Sequence, residues 1–188
     1  MPEWVRTYGC VVSRLRRAAV GSAVFFVIAP GIVAGLVPWL ISGWDVHWPM
    51  SAFGIAMMAL GSAVLTVAVV VLIRNFVRFV VEGRGTPSPV LQTERLVVGG
   101  DYRFVRNPMY LAVITAILGQ AIIFGSLGLI LYALTVWAIM ATFVRMYEEP
   151  LLQNRYGEEY ERYRRGVRAW MPRLRPWQAD RDHIDKVS

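Results

Sequence analysis

The chain has little of what soluble enzymes use for chemistry. It carries one cysteine, Cys10, which excludes an internal disulfide. Its two histidines, His47 and His183, are too few for a histidine-based metal centre, and no metal site is expected. Lysine is almost missing: Lys186 stands alone beside nineteen arginines. Charged residues make up 18 % of the 188 and hydrophobic residues 56 %, against about 25 % and about 45–50 % in an ordinary soluble domain. There is no Walker motif, no H-E-x-x-H and no G-x-S-x-G. Glu82-Gly83-Arg84-Gly85 has glycines but lacks the strand-to-helix context of a dinucleotide fingerprint, and reads as a loop. These absences exclude a typical small cytosolic enzyme, a disulfide-stapled secreted domain and a disordered chain.

What is present is long uncharged sequence. Between Arg17 and Arg74 the only charged residue is Asp45, and between Arg106 and Arg145 there is none. A helix needs about 20 apolar residues to cross a hydrocarbon core of ~30 Å. Residues 18–41 and 50–73 each suffice for one crossing. The 38 uncharged residues 107–144 suit two short crossings better than one. Gly125-Ser126-Leu127-Gly128 lies near their middle and reads as a hairpin turn. The fold class expected is all-α: a polytopic membrane bundle of about four spans, with a C-terminal helical hairpin and a cytoplasmic amphipathic tail helix. The first run is too long for the h-region of a signal peptide and reads as a retained helix.

Arginine sets the expected orientation. Residues 42–49 and 125–128 contain no Lys or Arg, whereas every basic residue falls before, between or after the paired spans. With four crossings, all basic segments share one side, which the positive-inside rule makes cytoplasmic, both termini included. The net charge of +7 then reports topology and anionic lipid rather than nucleic acid. Trp39, Trp44 and Trp48 flank the first outer turn, as interfacial anchors do. Pro30 and Pro38 predict a kink or early end of the first span. Gly54, Gly61 and Ala68 repeat every seven residues on the second, a face for close helix packing.

The polar residues cluster at the cytoplasmic face in three pieces. In the first, Asn107-Pro108 reads as a helix start, Asn capping exposed N–H groups and Pro taking the first position. Arg103 and Arg106 stand beside it, and such a place suits a carboxylate or phosphate; the same arginines also suit lipid phosphates. The second is Arg145-Met146-Tyr147-Glu148-Glu149-Pro150. Two adjacent carboxylates where a span leaves the membrane need partners, for which Arg103, Arg106, Arg145 or a cationic or hydroxyl-bearing ligand are available. The third is residues 151–170, where Leu152, Tyr156, Tyr160 and Tyr163 share a helical face with arginines around them. Gly157 interrupts it.

Taken together, these pieces resemble a known signature. Gly100-x-Tyr102-x-x-x-Arg106-Asn107-Pro108-x-Tyr110 is similar to G-x-Y-x-x-x-R-H-P-x-Y. Glu148-Glu149-x-x-Leu152, followed by Tyr156-Gly157-x-x-Tyr160-x-x-Tyr163, is similar to the paired-Glu and F-G-x-x-Y-x-x-Y signature. Both belong to the isoprenylcysteine carboxyl methyltransferase and phospholipid methyltransferase superfamily. The resemblance implies an integral membrane methyltransferase that uses S-adenosylmethionine (SAM) and takes a lipophilic substrate from the bilayer. It implies cofactor contacts at Glu94, Arg95, Leu96, Val97, Tyr102, Asn107, Pro108, Met109, Tyr110 and Glu148. Arg103, Glu149 and Tyr160 are added beside them, and Arg106, Asn107, Arg145 and Glu148 are the candidate catalytic residues. Residues 1–81 would form N-terminal spans, 82–172 the SAM-binding region and 173–188 a polar tail of one membrane domain.

Two departures bear on the substrate. Asn107 stands where the signature often has His, and Asn is no base near neutral pH, which favours an acceptor that is already anionic. Phe143 or Val144 falls near the register of an Arg that helps prenylcysteine enzymes bind substrate. Carboxylate, thiol and lipid acceptors therefore stay open. So do two other readings: an NADPH-dependent membrane reductase of sterol-reductase-like architecture, and a non-enzymatic membrane scaffold.

Overall fold

The computed structural model describes residues 28–83, 96 and 98–178, the side chains of 79–83 excepted. Among the described residues every regular element is helical. Helix α1 spans Ile28–Ser42, α2 Ala52–Gly83, α3 Pro108–Phe124, α4 Leu127–Tyr156 and α5 Glu158–Gly166. A 3-10 turn, Gly100–Arg103, precedes α3.

Two of these helices are long and apolar enough to cross a membrane, through Ala52–Arg78 and Leu127–Tyr156. Only 11 % and 22 % of their most apolar windows is buried. Core helices of a water-soluble fold would hide that surface; here Phe53, Val67, Leu131 and Ile139 face outward. Helices α1 and α3 are shorter apolar helices. Residues 18–27 of the first expected span, with Cys10 and the N-terminal arginines, lie outside the described residues.

Helix α2 outruns its expected span. It absorbs Arg74, Arg78 and Glu82-Gly83, which the sequence reading gave to a loop. No proline or glycine intervenes between Gly61 and Gly83 to stop it. Gly54, Gly61, Ala68 and Asn75 are all buried, extending the small-residue face by one more heptad step. The α2–α3 contact is the most extensive in the fold. A Cβ on Gly61 would sit 2.7 Å from the Gly119 carbonyl oxygen and from Ile123, so backbone meets backbone there.

The uncharged block divides at Gly125. Its φ of +65° ends α3 in the left-handed region, and Ser126 caps α4 by accepting from the Leu129 N–H. The preceding loop crosses this tip: Trp48 Nε1 donates to the Ile122 carbonyl at 2.7 Å, and the His47 N–H to that of Phe124. Trp48 therefore locks the hairpin, while Trp39 and Trp44 are exposed.

Pro38 and Pro150 each follow a π-helical turn, whereas Pro30 sits within α1. Ile32–Leu36 precedes Pro38, and Val144–Glu148 precedes Pro150. Proline has no N–H for the carbonyl four residues back and crowds it. At Pro38 that carbonyl belongs to Ala34, and Gln120 Nε2 of α3 donates to it at 2.7 Å. Tyr132 Oη of α4 donates to the neighbouring Val33 carbonyl at 3.0 Å. The kink thus ties three helices together where bulk water is scarce.

The expected tail helix over 151–170 is not continuous. Gly157, at φ +52° and ψ −123°, separates α4 from α5. Helix α5 stops at Gly166, and residues 167–178 run as an extended strap. The Arg106, Arg173 and Trp177 N–H groups donate to the Arg168, Phe104 and Arg103 carbonyls, so the strap pairs with the segment entering α3. Leu152, Tyr156, Tyr160 and Tyr163 still share a cluster, closed by Val167 and Trp177.

Candidate functional site

The site lies where the 3-10 turn, the start of α3, the end of α4 and α5 meet. The π turn at Val144–Glu148 carries Glu148 and hands directly to Glu149. Adjacent helical residues point about 100° apart, and the two carboxylates find different partners. Glu148 Oε1 accepts from Tyr110 Oη of α3 at 2.5 Å. Glu149 Oε1 pairs with Arg106 Nη1 at 3.0 Å, both side chains nearly buried, and its Oε2 with the half-exposed Arg164 at 3.5 Å. Arg106 Nη1 also donates to Tyr160 Oη at 3.1 Å. Residues far apart in sequence are thereby joined into one polar cluster.

Tyrosines floor it. Tyr163 Oη donates to the Tyr102 carbonyl at 2.7 Å. Burial pushes the Tyr102 phenol well above its ordinary value, and the Glu148 and Asp101 carboxylates push it further. Burial raises Tyr163 as well, with Tyr102 adding and Arg106 opposing. Tyr160 is raised by burial against the lowering pull of Arg106. All three stay neutral hydrogen-bonding rings at any physiological pH.

The turn itself is braced from α2. Asn75 Nδ2 donates to Asp101 Oδ2 at 2.8 Å, and Arg74 lies 3.6 Å from Oδ1. Gly100 has φ +54°, and a Cβ there would collide with the Arg78 guanidinium. Neither Asn75 nor Arg74 was singled out by sequence for this. Asp101 lies inside the motif, and the heptad step from Gly54 to Asn75 was the available signal.

Several expected roles are redistributed. Asn107 occupies the cap position of α3 but makes no side-chain cap; its Nδ2 instead donates to the Ala169 carbonyl at 3.2 Å. That donor bond turns the amide toward the strap, and its oxygen makes no cap with the first N–H groups of α3. Arg103 Nε is held by the Trp177 carbonyl at 2.8 Å rather than by a carboxylate. Arg145 is exposed, and among the described residues it pairs with neither Glu148 nor Glu149. Arg164 takes that place, which its spacing did not reveal. Pro108 is buried and Met109 partly so at the head of α3. Leu96 packs on the tyrosine cluster; Glu94, Arg95 and Val97 lie outside the described residues.

The cluster keeps unspent polar capacity. Among the described residues Arg106 Nε is buried without a hydrogen-bond partner, as is Gln153 Oε1. Glu148 has a second oxygen that accepts no hydrogen bond among the described residues. A buried donor on a permanent cation and a carboxylate oxygen with spare capacity, both in this cluster, suit a small zwitterion bearing its own carboxylate and ammonium. The described residues form no cluster of metal ligands.

The family described as phospholipid methyltransferase matches residues 85–159, which carry most of this site. Protein-S-isoprenylcysteine O-methyltransferase B of Arabidopsis thaliana is 28 % identical over 127 residues, covering 67 % of this chain and 61 % of the relative. Protein-S-isoprenylcysteine O-methyltransferase A of the same plant is 26 % identical over 134 residues, covering 71 % and 64 %. The enzyme of the same name from Schizosaccharomyces pombe is 31 % identical over 78 residues, covering 41 % and 33 %. The chain thus spans a little over three fifths of the length of the two plant relatives. The ordered motifs, the family match and these relatives show that the chain is similar to the isoprenylcysteine carboxyl methyltransferase and phospholipid methyltransferase superfamily.

Proposed function

We propose that this chain is an integral membrane SAM-dependent methyltransferase acting on a lipophilic substrate at the cytoplasmic face. The carrying observation is the Tyr110–Glu148 hydrogen bond beside the Arg106–Glu149 pair, at the mouth of an uncharged helical hairpin. In this reading α1 to α4 make four crossings, with both termini cytoplasmic. The outer turns, poor in basic residues, and the arginine-rich inner segments support that orientation.

SAM supplies an electrophilic methyl group on a sulfonium. Its amino-acid end matches the unspent capacity of the cluster: Arg106 Nε for the carboxylate, the second oxygen of Glu148 for the ammonium. Tyr110 holds Glu148 in one orientation, and Glu149 holds Arg106. Tyr102, Met109, Tyr110 and Tyr160 supply apolar and aromatic surface, and aromatic faces attract cations. Methyl transfer needs the nucleophile aligned with the methyl more than it needs a base. Asn107 is no base and is tied to the strap, so the acceptor that fits best is an anion on arrival, such as a carboxylate or thiolate. The relatives' name, an O-methyltransferase of S-isoprenylcysteine, favours the carboxylate.

The test is SAM binding to the detergent-purified chain by titration calorimetry. Loss of a hydrogen bond to a charged group is worth about 1.5–3 kcal/mol, so Glu148→Gln should weaken SAM by about 10- to 150-fold. Unchanged affinity in Glu148→Gln, or stabilisation by NADPH alone, refutes the proposal.

A further inference from the structure

A second basic site lies outside the cluster. Arg165, Gly166, Arg168, Pro172, Arg173 and Leu174 line an open cleft of about 470 Å³ between the end of α5 and the strap. Among the described residues no carboxylate lines it. From residue 167 to 178 the strap has three arginines and no acidic residue. Glu161 reaches Arg164 and Arg165 from the neighbouring turn of α5, whereas Arg168 is exposed and among the described residues has no acidic partner.

The strap is also fixed relative to the spans. Trp170 packs on the α3–α4 core formed by Ile114, Ile117, Ala133 and Val136. Its ring meets that of Trp137, within candidate span α4, edge to face at 6.3 Å. This anchor ties the start of the strap, next to residues 171–174, to the α3–α4 hairpin. There Leu174 is fully exposed and Met171 63 % exposed. Two bare apolar tips between arginines are unfavourable in water and favourable at a bilayer interface, where the tips enter the acyl boundary and the guanidiniums meet headgroups.

We propose that this cleft binds the phosphate diester of an anionic phospholipid, Arg168 and Arg165 holding the phosphate while Leu174 and Met171 lie among the acyl chains. Arg173 plays a different part, since its guanidinium donates to the Gly166 carbonyl and shapes the cleft floor. The site stands on the membrane location of the chain and not on methyl transfer, so it holds whatever the acceptor proves to be.

The experiment is equilibrium binding of dihexanoyl phosphatidylglycerol and dihexanoyl phosphatidylcholine to the full chain in neutral detergent, with inorganic phosphate as competitor. Each arginine near an anionic headgroup contributes about five-fold in affinity at low salt. The native chain should prefer phosphatidylglycerol by at least about five-fold, and the preference should shrink with added salt. Arg168→Gln should weaken phosphatidylglycerol about five-fold and phosphatidylcholine distinctly less, because the choline cation already neutralises the phosphate that both lipids share. Arg165→Gln/Arg168→Gln should abolish most of the preference, and Leu174→Ser should weaken both lipids alike. Equal binding of the two lipids by the native chain overturns the proposal, and this arm needs no variant to fold. Equal weakening of both lipids by Arg168→Gln overturns it too. Displacement by inorganic phosphate in the same concentration range makes the cleft a free-anion site and also overturns it.

Discussion

Replacing Glu149 by glutamine removes the charge that holds Arg106 against the end of α4. At 3.0 Å and an effective dielectric of about 20, the attraction is about 5.5 kcal/mol before desolvation is subtracted. Both side chains are only 12–13 % exposed, so desolvation offsets much of it. Removing one partner of such a pair costs about 3–5 kcal/mol, because the other charge is stranded. Arg106 keeps its contact with Tyr160 Oη. Arg164, 43 % exposed, is solvated and adds only about 0–1 kcal/mol. The expected cost is therefore near the lower end, about 3 kcal/mol. It should appear as early loosening of α5 and the strap, followed by near-ultraviolet dichroism of the Tyr163–Trp177 cluster during heating in detergent. Arg106→Met/Glu149→Leu removes both charges and should recover most of the loss, since exchanging a whole buried pair for apolar groups is close to neutral. A Glu149→Gln cost below about 0.5 kcal/mol, or a double variant as damaged as the single one, refutes the assignment of a buried pair.

Other outcomes follow from the packing. Gly61→Leu should destabilise by at least about 1–3 kcal/mol in thermal unfolding, because its side chain meets the Gly119 carbonyl and Ile123 head-on; native-like stability would mean that α2 and α3 do not touch there. Gln120→Leu should cost about 1–3 kcal/mol by leaving the Ala34 carbonyl unpartnered. Pro38→Ala restores that carbonyl's N–H, so adding it to Gln120→Leu should return much of the loss, and additive effects would break the link. Tyr102 and Tyr163 have raised folded-state values. Stability from their neutral phenols is complete below pH about 10, the unfolded value, and is lost as pH rises above it. Melting temperature should thus be insensitive to these groups between pH 7 and 9 and fall near pH 11, with delayed phenolate absorbance for the buried rings.

The sequence by itself determined where helices can run and where they break. Uncharged length, Gly125 with Ser126, Gly157 and the two prolines act through neighbours on the chain, and each break appears at or next to its residue. The seven-residue repeat of small residues likewise declared the face that α3 packs against. The order of the motifs carried the resemblance to the family. Glu82-Gly83 was misread because a loop composition says nothing of a helix propagating into it.

Only the tertiary structure decided which polar group meets which. Tyr110 and Glu148 lie 38 residues apart, Arg106 and Tyr160 54, Asn107 and Ala169 62. Spacing along the chain cannot rank such partners, so Arg103, Arg106 and Arg145 looked equally available to the carboxylates, and Arg164 was not among them. The fold separates them: the π turn directs Arg145 outward, and α5 brings Arg164 over Glu149. Two of the site's anchors, at Ala169 and Trp177, are backbone carbonyls. Every residue has that acceptor, so no side-chain pattern marks it, and only the path of the strap makes it a partner.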